Sequence, residues 1–191
     1  MRAPAAGKAS VATGLTTTGP TTAPKAAVAP ASAGAAEDAE SAARLIALRL
    51  LDAQPRTRAE LERALARRGV PKDAATAVLD RFADVGLIDD EAFAQAWVTS
   101  RHAGRGLGRR ALASELTRRG VPTETVALAV SAVSPGDEET AARALVARRL
   151  RTMSGLPTDT QIRRLVGMLA RKGFSHGLAM AVVRDAVGQD D

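Results

Sequence analysis

The chain has 191 residues, 27 Lys or Arg against 21 Asp or Glu, and a formal charge of +6, a balance that favours an acidic partner such as nucleic acid or an acidic protein surface. It has no cysteine and only two histidines, His102 and His176, which excludes disulfides, cysteine-based zinc sites and cysteine nucleophiles and agrees with a reducing, cytoplasmic setting. Apolar residues make up 46% but aromatics only 2%, and the Ala, Leu and Val that remain favour helix packing over strands.

Residues 1–36 hold Ala, Thr, Pro and Gly, with no acidic residue before Glu37. This composition predicts a disordered tail, and a targeting peptide is the rival reading. From about Ala42 a helical pattern begins, with Leu45, Leu48 and Leu51 on one stripe. After Pro55, the run Thr57-Arg-Ala-Glu60 has the spacing of a capping box. Leu61 and Leu65 share a face of the helix it opens, and Gly69 stops that helix. Pro71 suits the start of a third helix, whose buried side is Val78, Leu79 and Phe82 and whose stop is Gly86.

Asp89, Asp90 and Glu91 then concentrate carboxylates. Paired acids suit acid–base chemistry or a metal. The simpler reading is a helix start, capped by Asp89 or Asp90 with the others facing the helix dipole. Gly136 to Glu139 repeats this arrangement. Phe93 and Trp97, four residues apart, read as core anchors. From Arg101 to Arg119 there are six arginines and a single acid, Glu115. Arg109 and Arg110 fall in the first turn of a helix, where the dipole disfavours cations by about 0.3–1 kcal/mol. That local cost points to an acidic partner, against the rival of a solvated basic loop. His102 is placed near these arginines, at a helix end where a lone imidazole is ordinarily solvated.

The chain repeats itself. "LARRGVP" from Leu65 returns as "LTRRGVP" from Leu116 and as "LARKGF" from Leu169. Aligned on Gly69, Gly120 and Gly173, Leu61 falls on Leu112 and Leu165, Leu65 on Leu116 and Leu169, and Leu79 on Val130 and Val183. The expected fold is all-α: three tandem three-helix repeats at 37–88, 89–134 and 137–188, which stack on one another because one unit alone makes a marginal core. Arg67–Arg68, Arg118–Arg119 and Arg171–Lys172 end the second helices, where cations complement the dipole and also line one edge at regular intervals. There is no P-loop, no dinucleotide fingerprint and no Ser-His-Asp pattern, so no enzyme, cofactor or metal site is expected. No apolar run approaches a membrane span.

The stretches "TRAELERALARRGV", "VLDRFADVGLIDDEAFAQAWVTSR", "GLGRRALASELTRRGV" and "RRLVGMLARKGF" together resemble the RecX family of bacterial recombination regulators. The most specific part is Phe82 to Val121, and the resemblance covers about residues 42–188. It implies an elongated, curved array of these repeats that binds the RecA recombinase filament on single-stranded DNA and damps its ATPase, strand-exchange and co-protease activities; a cytoplasmic monomer is expected. Arg101, Arg109, Arg110, Arg118 and Arg119 match motif positions and are expected contacts. Arg105, Arg67 and Arg68 are added on charge and position. The alternative is a basic helical protein that acts directly on single- or double-stranded DNA.

Overall fold

The computed structural model describes residues 33–188. Most of the segment read as a disordered tail lies outside the described residues, and its last four residues, 33–36, form the first turn of a helix. Among the described residues there are nine helices and no strand: α1 Ala33–Ala53, α2 Arg58–Ala66, α3 Lys72–Asp84, α4 Asp90–Arg105, α5 Arg109–Arg119, α6 Thr123–Ser131, α7 Pro135–Leu150, α8 Thr158–Arg171 and α9 His176–Gly188. None is long and apolar enough to cross a membrane.

The helix starts follow their local chemistry. Thr57 and Glu60 form the expected capping box, each side chain accepting from the other's backbone N–H at 3.2 Å. Ser134 and Asp137 form a second one at the head of α7, which also has proline in its first turn. Asp89 caps α4 by accepting from the Ala92 N–H at 2.8 Å. Pro71 and Pro122 stand at the N-cap positions of α3 and α6.

Three separate cores result, one for each group of three helices. The aligned leucines are their centres: Leu61 and Leu65, Leu112 and Leu116, and Leu165 and Leu169 are each 0% exposed. Burying such a side chain contributes about 1.5–3 kcal/mol, so each pair anchors its second helix. All the broad helix–helix contacts lie within a unit.

The units join instead at helix ends. The Thr57 hydroxyl, which caps α2, also donates to the Arg119 carbonyl at the end of α5, 2.8 Å away. At the same joint the Arg58 N–H donates to Asp90 at 2.9 Å. The next joint repeats the plan. The Gly108 and Arg110 N–H groups at the start of α5 donate to the carbonyls of Lys172 and Gly173 at 2.8 and 3.2 Å, and the Arg109 N–H donates to Glu138 at 2.9 Å. At the second joint the orphan amides of α5 meet the carbonyls at the end of α8, whereas at the first the Thr57 hydroxyl takes the amide's place; in both, opposite dipole ends face each other.

Glycine is needed here twice over. Gly120 and Gly173 have φ of 88° and 87°, which disfavours any side chain. A Cβ on Gly120 would also run into Ala59, and one on Gly173 into the backbone and side chain of Ala111. Gly69 has φ of 75° but nothing within 4 Å of a Cβ. The repeated ending is therefore a helix stop three times and a joint surface twice.

Candidate basic interaction surface

The carboxylates at 89–91 divide into structural tasks. Asp89 caps its own helix and Asp90 caps α2 across the joint. Burial raises the Asp90 carboxyl above its usual range, opposed by the Arg58 N–H and charge. Glu138 does for α5 what Asp90 does for α2. No group of three or more potential ligands that could hold a metal occurs among the described residues.

The expected contact arginines fall into two sets. Arg119 is packed into the first joint: its guanidinium donates to both Glu60 oxygens at 2.9 and 3.1 Å. It also lies 4.1 Å from the Trp97 ring centroid and 4.9 Å from that of Phe93. Arg101 lies over Trp97 as well, at 4.1 Å, and the Trp97 Nε1–H donates to Glu115 at 2.9 Å. Phe93 and Trp97 stack, with centroids 5.7 Å apart. This aromatic–cation cluster, partly buried, braces the second unit against the first.

The other set is open to solvent. Arg67, Arg68, Arg105, Arg110 and Arg118 are exposed and Arg109 is half-buried. Arg68 and Arg118 donate to carbonyls of their own helices, those of Ala64 and Ser114. The electrostatic cost inferred for Arg109 and Arg110 is offset inside the fold, because Glu138 and the carboxyl end of α8 face them. Their position alone therefore carries no argument for a partner.

Arg105 belongs to a larger basic surface that the sequence reading did not assemble. One cleft of about 620 Å³ is lined by Arg149, Arg163, Arg164, Gly167, Met168 and Arg171. A second, of about 680 Å³, is lined among others by His102, Arg105, Leu145, Arg148, Arg171 and Lys172. Arg171 lines both. Lys172 is tied to the Arg105 carbonyl at 2.5 Å, and the His102 Nδ1 is 2.9 Å from the Leu107 carbonyl. Among the described residues, no ion pair engages Arg105, Arg148, Arg149, Arg163, Arg164 or Arg171; the pairs fall on Arg58, Arg81, Arg119 and Arg143.

The signal was present in the distribution of charge. Residues 37–88 hold nine basic and nine acidic side chains, whereas 137–188 hold nine and five. In the third unit, moreover, the acids are largely committed. Asp137 closes a capping box, Glu138 caps α5, and Glu139 and Asp185 pair with Arg143. The Arg148–Arg149 and Arg163–Arg164 doublets sit within helical pattern, where arginine density in loops does not reveal them.

Comparison with known proteins fits this architecture. Family models described as the first, second and third three-helix domains of RecX match residues 43–82, 89–130 and 137–183. The chain is 56% identical over 156 residues to a protein named Regulatory protein RecX from Thermobifida fusca, covering 82% of this chain and 84% of that one. It is likewise 56% identical over 148 residues to Regulatory protein RecX of Streptomyces coelicolor, covering 78% and 79%. The crystal structure of RecX from Lactobacillus salivarius matches in fold with a TM-score of 0.72 at 20% identity, over 78% of this chain and 97% of that one.

Proposed function

This chain belongs to the RecX family, and we propose that it is a non-enzymatic regulator that binds the RecA recombinase filament and inhibits its ATPase, strand-exchange and co-protease activities. The observation that carries this reading is the match of all three three-helix domains, together with relatives matched over most of their own length and named as regulatory proteins. The geometry supports it. Jointed units hold exposed arginines in fixed relation along the chain, a design suited to a repeating partner. Arg67, Arg68, Arg105, Arg109, Arg110 and Arg118 are the side chains we assign to partner contact, in the cytoplasm where the filament forms. Arg101 and Arg119 act in this scheme by holding the joint. The second reading, direct action on DNA, is favoured by the unpaired arginines of the third unit.

Co-sedimentation separates the two. Filaments assembled on single-stranded DNA with a non-hydrolysable nucleotide should pellet the chain, and strand covered by an unrelated single-strand-binding protein should not. Recovery with uncovered strand alone, and none with filament, would overturn the filament reading.

A further inference from the structure

We infer that the cleft at the joint of the first and second units, lined by Phe93 and Trp97, is a docking site for a segment of a protein partner that presents an apolar side chain beside a carboxylate. The inference rests on the filament reading and names a surface through which the protein part of the filament would be held. The cleft has a volume of about 330 Å³, near the lower end of the roughly 300–1,000 Å³ of ligand pockets. That suits an anchoring side chain rather than a large ligand. Pro55 enters from the connection between α1 and α2, and Phe93, Ala96, Trp97, Ser100 and Arg101 come from α4. Tryptophan and arginine around an apolar floor are the side chains that dominate protein-binding energetics.

All but one of the charged groups at this cleft are committed. Arg119 donates to both Glu60 oxygens, and Glu115 accepts from the Trp97 Nε1–H. Arg101 is the exception. It is half-buried against Trp97, yet among the described residues it has no ion pair and no hydrogen bond. A guanidinium fixed against an indole is already ordered, so it can take a carboxylate on its donor fork with little further loss of side-chain freedom. The exposed Ser100 hydroxyl and Gln54 amide give the site a polar rim around its apolar floor, the anatomy of a protein interface.

The repeat shows that the concavity belongs to the joint and the chemistry to this copy of it. The buried pair Ala94 and Val98 in α4 matches Ala142 and Val146 in α7, which places Phe93 on Ala141, Trp97 on Leu145 and Ser100 on Arg148. The glycine alignment places Arg119 on Lys172 and Gln54 on Arg105. Those counterparts all line the cleft of the second joint. One frame therefore makes a hollow at both joints, and only at the first is it aromatic. Its surroundings also disfavour a nucleic-acid strand. The guanidiniums of Arg101 and Arg119 both lie 4.1 Å from the Trp97 ring centroid, so the indole offers a base no free stacking face. Glu60 and Glu115 flank the site and repel a run of phosphates, whereas a single carboxylate set against Arg101 avoids them.

The test uses the full chain and RecA filaments assembled on single-stranded DNA with a non-hydrolysable nucleotide, with affinity taken from titrated co-sedimentation. Changing Ala96→Phe and Ser100→Phe together, both exposed positions, fills the cleft and should lower affinity at least about tenfold, the loss of one strong anchor. Far-UV circular dichroism verifies that the helices persist. Ser100→Glu and Ser100→Lys then separate charge from bulk: the glutamate variant should bind about tenfold or more weakly than the lysine variant, because only it repels the partner's carboxylate. In a second measurement, p-benzoylphenylalanine in place of Ser100 should crosslink to a recombinase segment in which an apolar residue neighbours an aspartate or glutamate. Failure of the unmodified chain to pellet with filament overturns the filament reading and this inference with it. Binding by the unmodified chain that the double phenylalanine change leaves intact overturns the cleft alone. Equal binding by the Ser100→Glu and Ser100→Lys variants overturns the carboxylate. An equal loss of binding to free oligothymidylate by the filled variant would reassign the cleft to nucleic acid.

Discussion

Replacing each repeated glycine by alanine separates a helix stop from a joint. All three adopt positive φ, so each variant bears a left-handed strain of about 1–2 kcal/mol. At Gly69 nothing else changes, since the added methyl meets open space. At Gly120 the methyl overlaps the Ala59 methyl, whereas at Gly173 it overlaps the backbone nitrogen and side chain of Ala111. Overpacking of this kind costs about 1–3 kcal/mol more, and the upper end is expected at Gly173, where backbone must move. Urea denaturation followed by far-UV circular dichroism should therefore rank the losses Gly69→Ala, then Gly120→Ala, then Gly173→Ala. Equal losses at all three positions would refute the joint and leave only the helix stop.

Three further perturbations test other parts of the frame. Thr57→Ala removes a buried cap and its bond to the Arg119 carbonyl and should destabilise by about 2–3 kcal/mol in urea, with Thr57→Ser restoring most of the loss. Arg119→Lys should fail to restore what Arg119→Ala loses, about 2 kcal/mol, because the lysine ammonium cannot span both Glu60 oxygens while covering Trp97; both variants should alter Trp97 fluorescence. In acid, two carboxyls act in opposite directions. Hydrogen bonds from the Ser134 hydroxyl and N–H lower Asp137, so its stabilisation is present above the ordinary carboxylate range and is lost as pH falls through the lowered value. Burial raises Asp90, so its ionisation opposes folding as pH rises from the ordinary value through the raised one. Carboxyl chemical shifts across an acid titration should show Asp137 titrating below Asp90, and Ser134→Ala should move Asp137 upward.

The parts of this fold that were legible are local. A capping box joins residues three apart, a leucine pair residues four apart, and a glycine stop needs no partner, so Thr57–Glu60, Leu61–Leu65 and Gly69 could be read directly. Repetition then assigned the same roles to later positions. What escaped the sequence was the joints, because their halves are far apart in the chain. Asp90 caps a backbone N–H 32 residues earlier, Glu138 one 29 residues earlier, and Thr57 reaches a carbonyl 62 residues later. The same distance concealed the meaning of Arg109, whose unfavourable position at a helix start is compensated by α8. The basic clefts escaped for another reason. Arginine density peaks between Arg101 and Arg119, yet Arg119 and Arg101 are engaged with Trp97. The unpaired surface draws on single residues and doublets spread from Arg105 to Arg171, which only the folded chain brings together.

The most direct measurement of the central proposal is the DNA-dependent ATPase of RecA on single-stranded DNA, titrated with this protein beside a control protein that coats the strand. A filament regulator predicts inhibition far below one protein per recombinase monomer. Inhibition that begins only when the strand itself is saturated, or no inhibition at any ratio, would contradict it.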